Sequence, residues 1–517
     1  MFRTGPPKVS AVQPAAILLL AMLAPGLVLL LGQAPAGSAV AWSEHWISAG
    51  AEPVTETTHL YLPLVMRAYR PPPPPPVYPN DPYYGSQWGL TRVRAPEAWA
   101  LSTGQGVLIA VLDTGTDYTH PDLSGKVRTD IAWNFVNNND ARDNNGHGTH
   151  VSGIAAAATN NGIGVAGMGW DASILPLKVM DSQGRGSTAE LIPAIYYAAD
   201  HGARVINMSL AGTTRDNLCP SDVQAAVDYA YRRGVLLVAA AGNWPYIAQS
   251  PFPANCAHVL GVAATTSSDS RAWFSNYGDH VSVAAPGEDI YSTLRYGGYG
   301  YMDGTSMATP FVAGLAALVY ARFPTYTPDQ VASAILDNAQ DLGSTGWDIY
   351  YGCGRIDAFR ALWDGARGDD PVCLGARVWS AGAGGQGGGG AGEQGGGGAG
   401  EQGGGGAGEQ GGGGAGEQGG GGAGEQGSGG AEGQGSGGAG EVIPGEVVVT
   451  LRAGARAEAL FRAQGLDPAG ALLYRARSGI QVWRLRVPVG QEEAVLARLR
   501  ADPAVIAADR NYRISAQ

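Results

Sequence analysis

At 517 residues and 44% hydrophobic, the chain has material for one large domain and smaller parts, with length suggesting about three units. A net charge of −12 and a sequence pI near 5.1 exclude a generic nucleic-acid binder, whose footprint is a basic stripe or face. The charge is unevenly spread: residues 445–517 hold 11 arginines, no lysine and 7 acids, a balance of +4 that leaves −16 for the remainder.

In chain order, residues 1–39 read as a secretory signal. Arg3 and Lys8 precede the 18-residue apolar run "PAAILLLAMLAPGLVLLL", and small residues suited to a peptidase follow in "APAGSAVA". Pro25-Gly26 breaks the run, which favours cleavage over an uncleaved anchor. Export to the outside, or to the cell surface, makes disulfides permissible. Cys219, Cys256, Cys353 and Cys373 allow three pairings, of which the sequence-local one, Cys219 with Cys256 and Cys353 with Cys373, is expected.

Residues 40–78 form a spacer containing Pro71 to Pro76, six consecutive prolines that favour extended polyproline II. From 79 to 365, apolar strands such as "GVLIAVLD", "RVINMSL" and "GVLLVAAAGN" alternate with helical segments, the pattern of an α/β domain with a mostly parallel sheet. After a connector at 366–386, residues 387–442 repeat "GGGGAGEQ". Almost nothing there can be buried to offset ordering entropy, so a tether spanning ~45 Å is expected. Residues 443–517 then follow the order β-α-β-β-α-β, a small split βαβ (ferredoxin-like) α+β domain.

Three stretches place a reactive group at the end of a regular element. Asp113 follows the strand in "VLIAVLDTGTDYTHPDL", His147 stands where "NNGHGTHVSGIAAA" turns helical, and Ser306 opens the helix of "GTSMATPFVAGLAALV". A serine hydroxyl needs an adjacent base, and the imidazole needs a third group to fix its tautomer; together the three supply acyl-transfer catalysis. A helix N-terminus favours a developing oxyanion but opposes the imidazolium, so Asp113 must offset the second effect.

With the flanks "DTGT", "HGTHVSG" and "GTSMATP" in the order Asp, His, Ser, residues 79–365 resemble the subtilisin family, the subtilases. The resemblance implies a subtilisin-like fold and a serine endopeptidase of broad specificity for proteins and peptides, favouring apolar P1 and P4 residues. It makes Asp113 the orienting acid, His147 the base, Ser306 the nucleophile and Asn243 the oxyanion donor. Ser209, Leu210 and Ala211 of "MSLAG" would hold the substrate strand, and Ala240, Ala241 and Gly242 would wall the specificity pocket. Glycine is usual in the family where Ala211 stands, which bears on the neighbouring subsites.

"PNDPYY" resembles the thermitase branch, which implies structural calcium held by Asp81, Asp122 and Asn161 with the carbonyls of Thr159, Ile163 and Val165, completing about six or seven positions. A weaker site is expected near Asp140 and Asp143. The C-terminal domain resembles the family's inhibitory propeptide through "PGEVVVTL", "VPVGQEEAVLARLRADPAV" and "NYR", although a propeptide normally precedes its protease. The chain stops close to where such a propeptide would be cut, giving Ile514, Ser515, Ala516 and Gln517 as occupants of P4 to P1. A monomer whose partner is its own inhibitor-like domain is therefore expected. The alternative, a catalytically silent cell-surface binding protein, suits the spacer and tether but not the intact Asp113, His147, Ser306 and Asn243.

Overall fold

The computed structural model describes residues 72–137, 140–244, 250–366, 373, 441–467 and 471–517. Residues 73–517 make one of the two units into which the chain divides, and the signal and most of the spacer and tether lie outside the described residues. Among the described residues, no helix is long and apolar enough to cross a membrane.

Continuous apolar runs become strands buried on both faces, as parallel strands between helical layers must be. In chain order the elements that position the site are β1 (Leu108–Asp113), α1 (His147–Ala156), β2 (Ser173–Lys178), β3 (Arg185–Ser187) and α2 (Thr188–Asp200). There follow β4 (Val205–Met208), β5 (Leu210–Ala211), α3 (Ser221–Arg232), β6 (Leu236–Ala240), β7 (Val259–Thr265), β8 (Val283–Pro286) and α4 (Thr305–Arg322). An edge strand Trp133–Asn134 and then β2, β1, β4, β6, β7 and β8 form a seven-stranded sheet whose neighbours are all parallel. All six residues of β1 and the last four of β2, β4, β6 and β7 are buried.

Helix α4 is apolar all round and buried from Thr305 to Tyr320, which makes it the central helix of one layer rather than a surface helix. The core on that side of the sheet includes α1 and α4, and the core on the other side includes α2 and α3. Disulfides join Cys219 to Cys256 and Cys353 to Cys373.

The C-terminal residues form β9 (Val442–Leu451), α5 (Ala457–Ala463), β10 (Ala471–Arg475), β11 (Gln481–Arg486), α6 (Glu492–Arg500) and β12 (Val505–Ala516). The strands run β10-β11-β9-β12, each antiparallel to its neighbour. Val495, Leu496 and Leu499 of α6 enter the small core with Val447, Val449, Phe461 and Trp483, as their helical spacing predicts. Strand β12 continues past this sheet and pairs with β3 and β5 of the large domain.

Candidate active site

Strand β1 ends at the reactive carboxylate because its parallel ladder ends there. Asp113 is wholly buried, its Oδ1 accepts from the Nδ1 of His147 at 2.8 Å and from the backbone N–H of Thr114 at 2.6 Å, and its Oδ2 has no hydrogen-bond partner. His147 opens α1, and the next residue must be glycine: a Cβ at Gly148 would stand 2.0 Å from the Gly115 carbonyl oxygen. Burial alone would lower the His147 imidazole. The Asp113 charge, the hydrogen bond to it and the Gln517 carbonyl outweigh burial and hold it above the ordinary histidine value. The offset required by the helix N-terminus is thus present.

Ser306 stands in the first turn of α4, after Gly304 at φ 154°, a backbone region that favours glycine. Its hydroxyl does not point to His147. It donates to the Ser209 carbonyl at 2.9 Å and accepts the backbone N–H of Gln517 at 3.0 Å, while the Nε2 of His147 faces the Gln517 carbonyl at 3.4 Å. Ser209 is itself held by donating its hydroxyl to the Ser306 carbonyl at 2.8 Å. The Asp113–His147 link is therefore assembled, and Gln517 occupies the place between base and nucleophile.

The Gln517 carbonyl accepts the Ser306 N–H at 3.2 Å, the position an oxyanion would take. Asn243 flanks it. Both the N–H and the hydroxyl of Thr305 donate to Asn243 Oδ1 at 2.9 Å, which fixes the amide with its Nδ2 on the other side. A Cβ at Gly304 would lie 2.7 Å from the Gln517 carbonyl oxygen and 3.2 Å from that Nδ2. The Gln517 side chain accepts the backbone N–H of Asn243, which follows the buried Ala240, Ala241 and Gly242, on its Oε1 at 3.2 Å.

Leu210 and Ala211 form one edge of the cleft, in register with Ala516 and Ser515. The opposite edge is β3, where Ser187, Gly186 and Arg185 face Arg513, Ile514 and Ser515, and the Gly184 carbonyl accepts the Ala516 N–H at 3.0 Å. Sequence reasoning missed this second edge. Its only signal is the glycine-punctuated "SQGRGS" after a strand. Ile514 is 2% exposed and packs in the core that includes Leu210 and Phe252.

Further contacts hold the C-terminal domain. Asp509 accepts the N–H and hydroxyl of Ser221 at the start of α3, and Asn511 Oδ1 accepts the Ala189 N–H and Thr188 hydroxyl at the start of α2. Asp200 accepts from the Tyr474 hydroxyl at 2.9 Å and the Arg477 N–H at 2.8 Å. Burial beside Asp509 pushes the Asp222 carboxyl well above its usual range.

Of the residues expected at a cation, Asp81 and Asp122 are buried on separate segments, and both hold the loop at 159–165. Asp81 accepts the N–H groups of Asn160 and Asn161, and Asp122 accepts the Asn161 side-chain amide and the Val165 N–H. Among the described residues, the carbonyls of Thr159, Ile163 and Val165 accept no hydrogen bond. Burial and the neighbouring Asp81 charge push the Asp122 carboxyl up, against the two donors that lower it. The weaker expectation at Asp143 is corrected. Its Oδ1 accepts from Thr114, Asn145 and Gly146, and its Oδ2 from Gly146 and both donors of Thr149, so no acceptor face remains for a cation.

With this geometry established, comparison with known proteins is direct. Residues 104–354 match the Subtilase family. The chain is 44% identical over 286 residues to thermitase of Thermoactinomyces vulgaris, covering 55% of this chain and 99% of that protein.

The chain belongs to the subtilase family.

It is also 45% identical over 292 residues to a thermophilic serine proteinase of Bacillus sp. (strain AK1), covering 55% of this chain and 69% of that protein. A solved protease structure from Pseudoalteromonas arctica superposes with a TM-score of 0.52 at 34% identity, covering 55% of this chain and 99% of that chain. As a subtilase it is a serine endopeptidase that acts on proteins or peptides.

Proposed function

We propose that residues 79–365 are the catalytic domain of an exported, broad-specificity endopeptidase, and that residues 443–517 are its own tethered inhibitor. The observation that carries this reading is the course of β12, whose end lies as a third strand between β3 and β5 and brings the Gln517 N–H to the nucleophile at 3.0 Å. An extended peptide added to two strand edges is held by backbone hydrogen bonds, which any sequence can make.

When a substrate replaces the tail, Ser306 Oγ attacks its carbonyl carbon and His147 Nε2 takes the hydroxyl proton. Asp113 keeps Nδ1 protonated and offsets the imidazolium charge. The Ser306 N–H and Asn243 Nδ2 stabilise the oxygen as it becomes negative. His147 then gives its proton to the leaving amine, and a water activated by the same imidazole releases the acyl group. The enclosed seat of Ile514 supports a preference for apolar P4 residues, and the buried run Ala240, Ala241 and Gly242, adjoining the Gln517 contact at Asn243, supports apolar P1 residues. Export rests on the signal-like residues 1–39, with the two disulfides as support.

The loop at 159–165, with Asp81 and Asp122 against it, suits calcium. Two buried carboxylates raise each other's cost until a cation lies between them, and free carbonyls nearby are the hard ligands calcium takes. Calcium would tie the segment at Asp81 to the loop at 159–165 and would supply no step of catalysis. Chelation is expected to lower Tm by roughly 10 °C, and Asp122→Asn to abolish that difference. Equal melting of the native chain with and without calcium would remove the metal from this reading.

Labelling with a fluorophosphonate probe tests the activity itself. A folded chain lacking residues 443–517 should be labelled and its Ser306→Ala variant should not; absence of label on the first refutes the catalytic assignment.

A further inference from the structure

Beneath the helix that carries His147 lies a buried ionic network that the mechanism above does not use. Lys178 ends β2 directly across the ladder from Asp113 and is 2% exposed. Its ammonium donates to the Thr114 carbonyl and, at 2.8 Å, to Asn144 Oδ1. Asp143, also 2% exposed, accepts the Thr114 hydroxyl at 2.9 Å, the Gly146 N–H at 3.0 Å, and the Thr149 N–H and hydroxyl at 3.0 and 2.6 Å. Thr114 joins the parts, because its N–H donates to Asp113 and its hydroxyl oxygen accepts the Gly148 N–H at 2.9 Å.

Each group has a physical reason to need the others. Asp143 places a negative charge on the free N–H groups at the start of α1, where the helix dipole favours it. Asp113 has one buried oxygen with no hydrogen-bond partner, so its charge is only half solvated by donors. The Lys178 ammonium forms no direct ion pair with either carboxylate; it is held by the Thr114 carbonyl and Asn144 Oδ1, and from there its charge and those of Asp143 and Asp113 offset one another at longer range. Burial pulls the Lys178 ammonium down while Asp143 and Asp113 oppose that pull.

We propose that Lys178 and Asp143 are the positioning pair of this active site: Asp143 sets the start of α1 so that the imidazole meets Asp113, and Lys178 compensates the two carboxylates. This rests on the proposed triad and deepens it. The other groups around the network are the charged Asp117, Asp181 and Arg295 and the imidazole of His150, which burial pulls down to about 3 and so keeps neutral.

The test reads the downfield Nδ1–H resonance of His147 by proton NMR in the full chain as pH is varied. Lys178→Met should raise the His147 pKa by about one unit, since a nearby cation is lost, and Asp143→Asn should lower it by a similar amount, since an anion is lost. General loosening of the site moves both variants the same way, so shifts of like sign, or none, overturn the proposal. Should Lys178→Met fail to fold, Lys178→Gln, which also removes the cation, takes its place with the same expected sign. Because the resonance is read without turnover, a catalytically silent protein would sink the triad reading and leave this result standing.

Discussion

Deleting Ile514–Gln517 from the full chain is expected to raise hydrolysis of a suc-Ala-Ala-Pro-Phe type peptide by about 10²–10³-fold, with Ser306→Ala as the blank. The size follows from the tether. A linker as flexible as its glycine-rich composition implies would hold the domain at an effective concentration of order mM, so docking with a Kd of order μM would keep about 10³ closed molecules for each open one. The four residues supply the antiparallel bonds to β3 and β5, the buried Ile514 and the contacts of Gln517 with Ser306 and Asn243. The contacts of Asp509 and Asn511 with helices α3 and α2 lie outside the deleted segment, so the domain stays seated while the cleft empties. Unchanged activity in a folded protein would show that the tail does not close the site. Loss of folding, recovered when residues 443–517 are added separately, would mark the domain as a folding helper.

Asp113→Asn should lower kcat by about 10⁴-fold with little change in stability or KM. Asp113 Oδ1 accepts from both His147 Nδ1 and the Thr114 N–H. An asparagine has one acceptor oxygen: facing His147 Nδ1 and the Thr114 N–H together, it leaves its NH₂ unpaired at the buried Oδ2 position and loses the charge that offsets the imidazolium. Turned about, it points its NH₂ at the imidazole, which must then carry its proton on Nε2 and can no longer take the Ser306 proton. Steady-state kinetics on the tail-deleted chain measures the effect; a loss below about tenfold would mean that Asp113 does not set the tautomer.

Much of the site could be read from the letters because it depends on local geometry. Asp113, His147 and Ser306 each sit where an apolar strand ends or an apolar helix begins, and such endpoints show in hydrophobic pattern and glycine placement. Asn243 is given by the family resemblance, whereas its bond to Thr305, 62 residues away, appears only in the tertiary structure. Other features left no such mark. Strand β3 is three residues long and half glycine and serine in its surroundings, so neither alternation nor length announces it. Asp143 reads as one more acid in a loop rich in Asn and Asp, and only its five donor groups show that it braces the helix rather than holding a cation.

The sequence by itself determined the parallel sheet, the order of the reactive residues and the second small domain, because periodicity, glycine placement and motif spacing are properties of neighbours in the chain. Only the tertiary structure decided that the Ser306 hydroxyl turns to Ser209, that β12 lies between β3 and β5, and that Lys178 stands beside Asp113 and Asp143. Those relations join residues far apart in the chain through sheet register, buried charge and the meeting of two strand edges, and no local pattern encodes which edges meet.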